Sequence, residues 1–183
     1  RAGARGALVT VAPSKGACVL ARELGVPIIE VSDTMHAIED LAREWRHHIT
    51  AKVVAVTGSV GKTTTKNLVR DVCAAKYRTV ATEGNQNNEL GVPNTVLAAN
   101  PDTDVVVVEM GMRGLGQIKQ LCDIARPDWG LISNVGECHM ELLGTKENIM
   151  RAKRELLDAL PDGSGIAFLN AEDACTDQMA ADA

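Results

Sequence analysis

The sequence predicts an α/β protein with an open, mostly parallel sheet and helices on both faces, preceded by part of a smaller α/β domain. From residue 52 onward, strand-like runs alternate with helix-like runs. The run "DVVVVEMG" at 104–111 is continuously β-branched, which is typical of a strand covered on both faces. A second strand-like run, "VVAVT" at 53–57, leads directly into a glycine-rich turn and a helix. Such alternation favours a parallel sheet with crossover helices.

The first fifty residues contain fewer sequence patterns that predict secondary structure. "ALVTVA" and "VPIIEV" are interpreted as short buried strands, and the stretch from Ala17 to Leu24 between them as a helix that Gly25 ends. Asp33 can cap a second helix. Its apolar positions at helical spacing are Met35, Ile38, Leu41 and Trp45. The linker predicted after it contains His47, His48 and Thr50.

The second segment begins at Lys52 with the strand "VVAVT". A helix is predicted from Thr64 to Ala75, with Leu68, Val69, Val72 and Cys73 facing inward. After "DVVVVEMG", the run "DWGLISN" at 128–134 predicts another buried strand, and a long helix follows from Thr145 to Leu160.

Composition excludes several classes of protein. With 183 residues, 45% of them hydrophobic and 2% aromatic, the chain can fill an aliphatic core of one domain, or of one domain and part of another. A net charge of −5 provides no basic surface for nucleic acid. No apolar run approaches the roughly 18–20 residues that span a bilayer. Because the chain opens at Arg1 and ends at "AEDACTDQMAADA", we expect a fragment.

Cysteine usage predicts a cytoplasmic protein with reduced thiols. The cysteines are odd in number, and no two of them form a C-x-x-C pair. This spacing favours neither a disulfide framework nor a zinc site. The cysteines are Cys18, Cys73, Cys122, Cys138 and Cys175.

The turn "TGSVGKTT" at 57–64 predicts a phosphate site of unusual length. Only two residues separate Gly58 from Gly61, whereas the common G-x-x-x-x-G-K-[ST] loop would need a glycine in place of Val56. Backbone amides at a helix N-terminus bind phosphates, Lys62 can reach the β and γ oxygens, and the Thr63 hydroxyl can bind Mg²⁺. The alternative is a glycine-rich turn with an exposed lysine.

Two further polar stretches are predicted at the carboxyl ends of strands, where such sheets bind ligands. Glu109 ends an all-valine strand, and a buried carboxylate there would need a cation such as Mg²⁺; alternatively it is simply exposed. The segment from Asn134 to His139 follows the next strand. A lone histidine such as His139 is more often structural than a ligand.

Lys153 lies within the apolar stripe of the predicted helix "TKENIMRAKRELLDAL". At 100° per residue it falls among Ile149, Leu156, Leu157 and Leu160. The charged residues Arg151, Arg154, Glu155 and Asp158 face away. Lys153 therefore either extends to the helix edge or lies in the site with a lowered pKa, where a neutral amine can react with CO₂ to form a carbamate.

Five motifs in order, "TGSVGKTT", "TEGNQNNELGVP", "EMGMRGLGQI", "NVGECHMELLG" and "RAKRELL", resemble the Mur ligases. That family uses the shortened G-x-x-G-K-T-T loop for ATP. The resemblance is strong from Lys52 to Asp173 and weak before that. The second and third motifs look most like the family member that adds D-alanyl-D-alanine to UDP-N-acetylmuramoyl-tripeptide.

The resemblance implies a three-domain enzyme. Residues 1–49 would be the later part of an N-terminal UDP-sugar-binding domain, residues 50–183 an incomplete central ATP-binding domain, and the C-terminal domain would be absent. It implies a nucleotide site at Gly58, Ser59, Val60, Gly61, Lys62, Thr63 and Thr64. It implies Mg²⁺ ligands at Thr63, Glu109, His139 and a carbamylated Lys153, with Lys62, His139 and Lys153 acting in catalysis. Substrate contacts would come from Thr82, Asn85, Asn87 and Asn88, unless they form only an asparagine-rich turn.

The implied reaction is ATP-dependent amide formation through an acyl phosphate, and we expect this fragment alone to be inactive. We also expect a monomer with no nucleic-acid partner and no membrane insertion. Three alternatives remain. Folylpolyglutamate synthase shares the short loop, although "GNQNNELG" and "EMGMRG" are not expected there. A nucleotide-dependent regulator would be supported by a guanine-specific N-K-x-D tetrapeptide, which the sequence lacks. The third is a scaffold with a vestigial loop.

Overall fold

The computed structural model describes Gly3, residues 5–136 and residues 140–181, and no helix within these ranges is long and apolar enough to cross a membrane. In chain order the elements are β1 (Ala7–Val9), α1 (Lys15–Leu24), β2 (Ile28–Glu30), α2 (Thr34–His48), β3 (Lys52–Thr57), α3 (Lys62–Ala74), β4 (Thr79–Ala81), α4 (Gly91–Ala98), β5 (Val105–Glu109), α5 (Gln117–Ala125), β6 (Trp129–Ile132), α6 (Met140–Leu143), α7 (Lys146–Asp158), β7 (Ile166–Leu169) and α8 (Ala174–Ala181).

The central sheet has five parallel strands in the order β4-β5-β3-β6-β7. In its register, Val56 of β3 pairs with Glu109 of β5, and Thr57 pairs with Ile132 of β6. The carboxyl ends of these three strands therefore meet at one edge, where a ligand site is expected in such a sheet. The predicted fold class is confirmed.

The sheet buries both faces, and its valines alternate between them. Val53, Ala55, Val106 and Val108 pack into a large apolar core with residues of α2, α4, α5 and α7. On the other face, Val54, Val56, Val105 and Val107 pack with Val69 and Cys73 of α3. One face is thus covered by several helices, whereas α3 covers the other.

The first segment differs from its prediction in three respects. β1 and β2 form a separate two-stranded parallel sheet that is largely exposed rather than buried. Helix α2 continues through His47 and His48, which were predicted as linker. Leu41, assigned to the apolar side of α2, is exposed because α2 turns Glu39 and Ala42 toward α4 and α5 instead. Trp45 joins that contact by donating from Nε1 to the carbonyl of Ala99 at 2.8 Å.

Helix α3 is oriented differently from the sequence prediction. Val69 and Cys73 face the sheet as expected, but Leu68 and Val72 are exposed, at 62% and 74% of their surfaces. Lys66, which the sequence reading did not place inward, is 1% exposed. Tertiary packing against β4 and β5 sets this orientation and overrides the apolar pattern.

Several elements have no counterpart in the sequence prediction, namely β4, α4, α5, α6, β7 and α8. The predicted helices α1, α3 and α7 are present with ends shifted by about two residues, as is usual. Ser14 and Thr145 cap α1 and α7 through their side-chain oxygens.

Candidate active site

The turn between β3 and α3 depends on two glycines. A Cβ on Gly58 would lie 2.0 Å from Oγ of Ser133 and 3.2 Å from its Cβ, so a larger residue would displace Ser133 from its hydrogen bond to Val60. Gly61 caps the N-terminus of α3 with φ at 80°, in the left-handed region that favours glycine. Two intervening residues therefore suffice to join strand to helix. The first amides of α3 have no intrahelical partner, and this helix end suits a phosphate group.

Residues that follow β6 hold this turn in place. Oδ1 of Asn134 accepts hydrogen bonds from the amides of Ser59 (3.2 Å) and Val60 (3.0 Å). The carbonyl of Val60 in turn accepts from Oγ of Ser133 (2.9 Å) and from Nδ2 of Asn134 (3.0 Å). Oγ of Ser59 also accepts from the amide of Gly136 (2.8 Å). The turn is consequently fixed before any ligand binds.

Lys62 is the first residue of α3 and its side chain folds back over the turn. Nζ donates to the carbonyls of Gly58 (2.9 Å) and Ser59 (3.1 Å). Thr63 and Thr64 occupy the same first turn of the helix. A helix N-terminus, an ammonium group and two hydroxyls are thus gathered at one end of α3, and this set can bind an anion such as a triphosphate.

Glu109, the last residue of β5, is buried rather than exposed. The residue is 1% exposed, and its Oε1 accepts from Nδ2 of Asn87 at 2.7 Å. Its Oε2 has no hydrogen-bond partner among the described residues. A buried carboxylate oxygen left without a donor is costly unless a cation approaches it, so this position fits Mg²⁺.

The other predicted metal ligands are less fully defined. No three His, Cys, Asp or Glu side chains cluster within the described parts of the chain. A Mg²⁺ site would therefore use Glu109 together with oxygen donors of other kinds, such as Thr63 or a carbamate on Lys153. His139 lies outside the described residues.

The segment 82–88 after β4 folds over Glu109. Oγ1 of Thr82 accepts from the amide of Glu109 at 3.0 Å, so this side chain is buried under the segment and does not line the pocket. The carbonyl of Asn87 accepts from the amide of Gly111 at 2.8 Å. Oδ1 of Asn88 accepts from the amide of Gly91 at 3.0 Å and supports the start of α4.

Lys66 is a buried cation that the sequence reading missed. Its Nζ donates to the carbonyls of Thr82 (2.8 Å) and Gly84 (3.1 Å). Burial lowers the pKa of Lys66, and the nearby carboxylate of Glu109 opposes that shift. Its place one helical turn after Lys62, on the same side of α3, is the signal that could have pointed to it.

Lys153 of α7 is buried and lies at the site. It is 2% exposed, which excludes the alternative of a side chain extended to solvent. Ile149 and Leu156, which lie about one helical turn before and after Lys153 in the predicted stripe, are also fully buried. Glu155 does not simply face away, because its two oxygens accept from the amides of Gly116 (2.6 Å) and Lys119 (3.0 Å) and cap the start of α5.

A pocket of about 880 Å³ connects these groups at the carboxyl edge of the sheet. Gly58 and Lys62 from the turn and Lys153 from α7 line it. The remaining wall comes from residues 85–91, residues 111–113 and α5, through Asn85, Gln86, Asn87, Asn88, Glu89, Leu90, Gly91, Gly111, Met112, Arg113, Gln117, Gln120 and Leu121. The pocket is large enough for a small-molecule ligand.

The structure thus gathers most of the predicted site residues around one pocket. Lys62, Lys153 and the three asparagines line it. Ser59, Val60, Gly61, Thr63 and Thr64 form the adjoining turn and helix start, and Glu109 lies behind Asn87. The sequence reading missed the wall formed by α5, whose Gln117 and Gln120 were not assigned to any element.

Comparison with known proteins gives one family. The model of the Mur ligase middle domain matches residues 56–183. A UDP-N-acetylmuramoyl-tripeptide–D-alanyl-D-alanine ligase of Synechocystis is 49% identical over 144 residues, which are 79% of this chain and 32% of that protein. The chain therefore spans about a third of the length of the curated relatives it matches.

Two solved structures share the fold. The structure of MurF from Acinetobacter baumannii matches with a TM-score of 0.80 at 28% identity, over 95% of this chain and 42% of that one. The structure of MurF from Thermotoga maritima in complex with ADP matches with a TM-score of 0.75 at 33% identity, over 90% of this chain and 36% of that one.

Proposed function

The chain belongs to the Mur ligase middle-domain family, and from this premise we propose that it is part of an enzyme that joins D-alanyl-D-alanine to UDP-N-acetylmuramoyl-tripeptide. The reaction would be an ATP-dependent amide bond formation in peptidoglycan precursor synthesis. Relatives that carry this activity in their names support the proposal, among them the ligases of Synechocystis and Bacillus subtilis. The ADP complex of a relative that is 33% identical supports nucleotide binding.

The observation that carries the proposal is the joining of the phosphate turn and the 85–91 wall in one pocket. Lys62, Lys153 and the asparagines of 85–88 all line this one pocket. A nucleotide with its phosphates at the N-terminus of α3 would therefore share the pocket with a ligand held by the asparagines. That is the arrangement that a transfer between two bound substrates needs.

In the first step, the peptide carboxylate of the UDP-sugar substrate would attack the γ-phosphorus of ATP in line. A P–O bond forms to the carboxylate, the bond to the bridging oxygen breaks, and ADP leaves with an acyl phosphate remaining. Lys62 and the amides of the turn would hold the phosphate oxygens and offset their charge. The contribution of the protein is mainly positioning and electrostatic stabilisation.

In the second step, the neutral amine of D-alanyl-D-alanine would attack the acyl carbon through a tetrahedral intermediate. A C–N bond forms, the C–O bond to phosphate breaks, and inorganic phosphate and one amine proton leave. Asn85, Asn87 and Asn88 are proposed to position the muramoyl peptide for both steps. Thr82 would act from beneath them, since its side chain is buried against the amide of Glu109.

Mg²⁺, when bound, would neutralise phosphate charge, and the residues proposed to hold it are Thr63, Glu109, His139 and Lys153. The unpaired Oε2 of Glu109 supports this assignment. Lys153 would take part as a carbamate: a neutral amine attacks CO₂, a C–N bond forms and one proton leaves. Lys153 is almost completely buried and lines the pocket, where CO₂ could reach its amine.

We assign residues 1–49 to the later part of an N-terminal UDP-sugar-binding domain and residues 50–183 to the central ATP-binding domain. The family match over residues 56–183 supports the second assignment. We further propose that the enzyme works in the cytoplasm as a monomer, and the free thiols among its described cysteines are compatible with a reducing compartment.

The test is a Lys62→Ala substitution in the full-length enzyme, with Lys76→Ala as the matched control. Lys76 lies just beyond α3 and is exposed. We expect Lys62→Ala to reduce ligation by about 10²–10³-fold or more, because a donor aimed at the transferred phosphate is lost. Lys76→Ala should behave as wild type, and both variants should keep the circular dichroism spectrum. The measurement is the ligated UDP-sugar pentapeptide by mass spectrometry, beside phosphate release.

Wild-type turnover by Lys62→Ala would exclude the turn as the ATP site. Nucleotide binding by the wild-type enzyme, without any product from D-alanyl-D-alanine, would instead favour a regulator.

A further inference from the structure

Lys66 is the largest fully buried side chain among the described residues, and nothing in the proposed chemistry uses it. It lies one turn beyond Lys62 on α3, and its stem passes under the segment 82–88. A buried lysine costs free energy unless its charge finds partners, whereas a methionine would fill the same volume without that cost. Its presence here therefore points to the contacts that its ammonium group makes.

The ammonium group holds the beginning of the segment. Two of its three donors reach the carbonyls of Thr82 and Gly84, at 2.8 and 3.1 Å. Gly84 has φ at 52°, so the backbone reverses at this residue in a conformation that favours glycine. Hydrogen bonds from a charged donor are among the stronger ones in proteins, and two of them fix the path of the chain at this point.

The far end of the segment is held by the site itself. Asn87 donates to Oε1 of Glu109 at 2.7 Å and accepts at its carbonyl from Gly111 at 2.8 Å. At the beginning of the segment, Thr82 also accepts at Oγ1 from the amide of Glu109 at 3.0 Å. The segment thus runs between Lys66, which belongs to the nucleotide-turn helix, and Glu109, the proposed metal ligand.

The phosphate turn does not depend on Lys66. Its supports are Ser133 and Asn134, which follow β6 on the opposite side of β3 from β5. Removing the ammonium of Lys66 would therefore leave the carbonyls of Thr82 and Gly84 without this donor and loosen the backbone between Thr82 and Asn87, but leave the turn braced.

We propose that Lys66 is a positioning residue that fixes the substrate-binding segment 82–88 to the helix that starts at the nucleotide turn. The inference rests on the proposed function of that segment in holding the muramoyl peptide. Lys66 itself would touch neither substrate, since it does not belong to the pocket wall. Through Lys66, the asparagines would keep a constant distance from the phosphate turn while both substrates bind.

The experiment compares Lys66→Met with Lys76→Met in the full-length enzyme. Methionine keeps the length and apolar stem of Lys66 but removes its charge and donors. We expect Lys66→Met to raise the KM for UDP-N-acetylmuramoyl-tripeptide by about tenfold or more, as expected for two lost hydrogen bonds from a charged donor. The Kd for ATP, measured by calorimetry, should stay within about threefold of the wild-type value. Lys76→Met should change neither.

Amide hydrogen exchange provides a readout that does not depend on ligation. Lys66→Met should exchange faster at residues 82–91 than wild type, while the amides of β3 at 53–57 stay protected. If Lys66→Met does not fold, Lys66→Gln, which keeps a shorter amide donor, is compared in the same way.

Each outcome decides between the proposals. Unchanged exchange at 82–91 would overturn the role of Lys66. A rise in KM accompanied by equally weakened ATP binding and by lower thermal stability would overturn it too, because that combination indicates a purely structural residue. If the wild-type enzyme makes no pentapeptide product, the proposed function fails, and the exchange measurement still decides whether Lys66 holds the segment.

Discussion

Lys66 and Lys153 lie on opposite faces of the central sheet, and both are almost completely buried, at 1% and 2% exposure. Lys66 belongs to α3, the helix that covers the thinner face, and two of its donors are taken by backbone carbonyls. Lys153 belongs to α7, within the thicker helical layer, and it lines the pocket together with Lys62.

The difference shows that burial alone does not reveal what a lysine does. Carbonyl oxygens accept more strongly from an ammonium than from a neutral amine, so the two carbonyls favour the charged form of Lys66 against the lowering effect of burial on its pKa. Lys153 lies on a pocket wall, where a dissolved reagent such as CO₂ can reach it. We therefore expect the two residues to respond differently to the same chemical treatment.

The largest expected effect is the loss of activity on Lys153→Ala in the full-length enzyme. The substitution should lower kcat by about 10²–10³-fold, since it removes the carbamate proposed to help hold Mg²⁺ at the reacting phosphate. Acetate at high concentration should restore part of the rate, because a small carboxylate can fill the space and replace the carbamate. Lys153→Arg should not recover, because arginine keeps its positive charge and cannot form a carbamate.

Lys66→Ala is the matched control for that rescue. Acetate cannot donate hydrogen bonds to Thr82 and Gly84, so it should leave this variant unimproved. Normal activity of Lys153→Ala would exclude the carbamate. Equal rescue of both variants would show that acetate acts elsewhere and that the comparison fails.

The two lysines also show how well the buried face of a helix could be predicted from the sequence. On α7 the apolar stripe placed Lys153 correctly among buried residues, because Ile149 and Leu156 do face the core. On α3 the same apolar pattern predicted that Leu68 and Val72 face inward, whereas in the structure both are exposed and Lys66 is buried. In the part of the chain that the structure describes, α3 packs on one narrow side only, and that side is set by β4 and β5.

Long elements were predicted better than short ones for a related reason. β3 and β5 are continuous apolar runs buried on both sides, and such runs can be recognised as strands from the sequence alone. β4 has only three residues, and α4 contains Gly91 and Pro93 within its first turn. Residues of the candidate site were predicted from strand ends and motif resemblance. Helix α5 has apolar residues at helical spacing that were overlooked, and the place of its Gln117 and Gln120 on the pocket wall follows only from tertiary packing.

A smaller effect, confined to stability, should separate the two faces of the sheet. Leu156 on α7 is fully buried, and Leu156→Ala should lower the free energy of unfolding by about 2–5 kcal/mol. Leu68→Ala on α3 is the control, since Leu68 is 62% exposed and its loss should change that free energy by no more than about 0.5 kcal/mol. Urea unfolding followed by circular dichroism measures both. A large loss of stability for Leu68→Ala would instead support the orientation of α3 predicted from the sequence, in which Leu68 faces inward.

The smallest expected effect concerns thiols and changes neither activity nor fold. Burial raises the pKa of Cys122 to about 12, and the carboxylates of Asp123 and Glu155 add to the shift. Cys73 on the α3 side is only half-buried. Since the thiolate is the reactive form, Cys122 should react with iodoacetamide at pH 8 at least about tenfold more slowly than Cys73. Raising the pH to 9 should leave Cys122 protected, whereas urea should make the two equal. Peptide mass mapping measures each thiol separately, and comparable labelling of both in the folded protein would mean that the thicker face opens as readily as the thinner one.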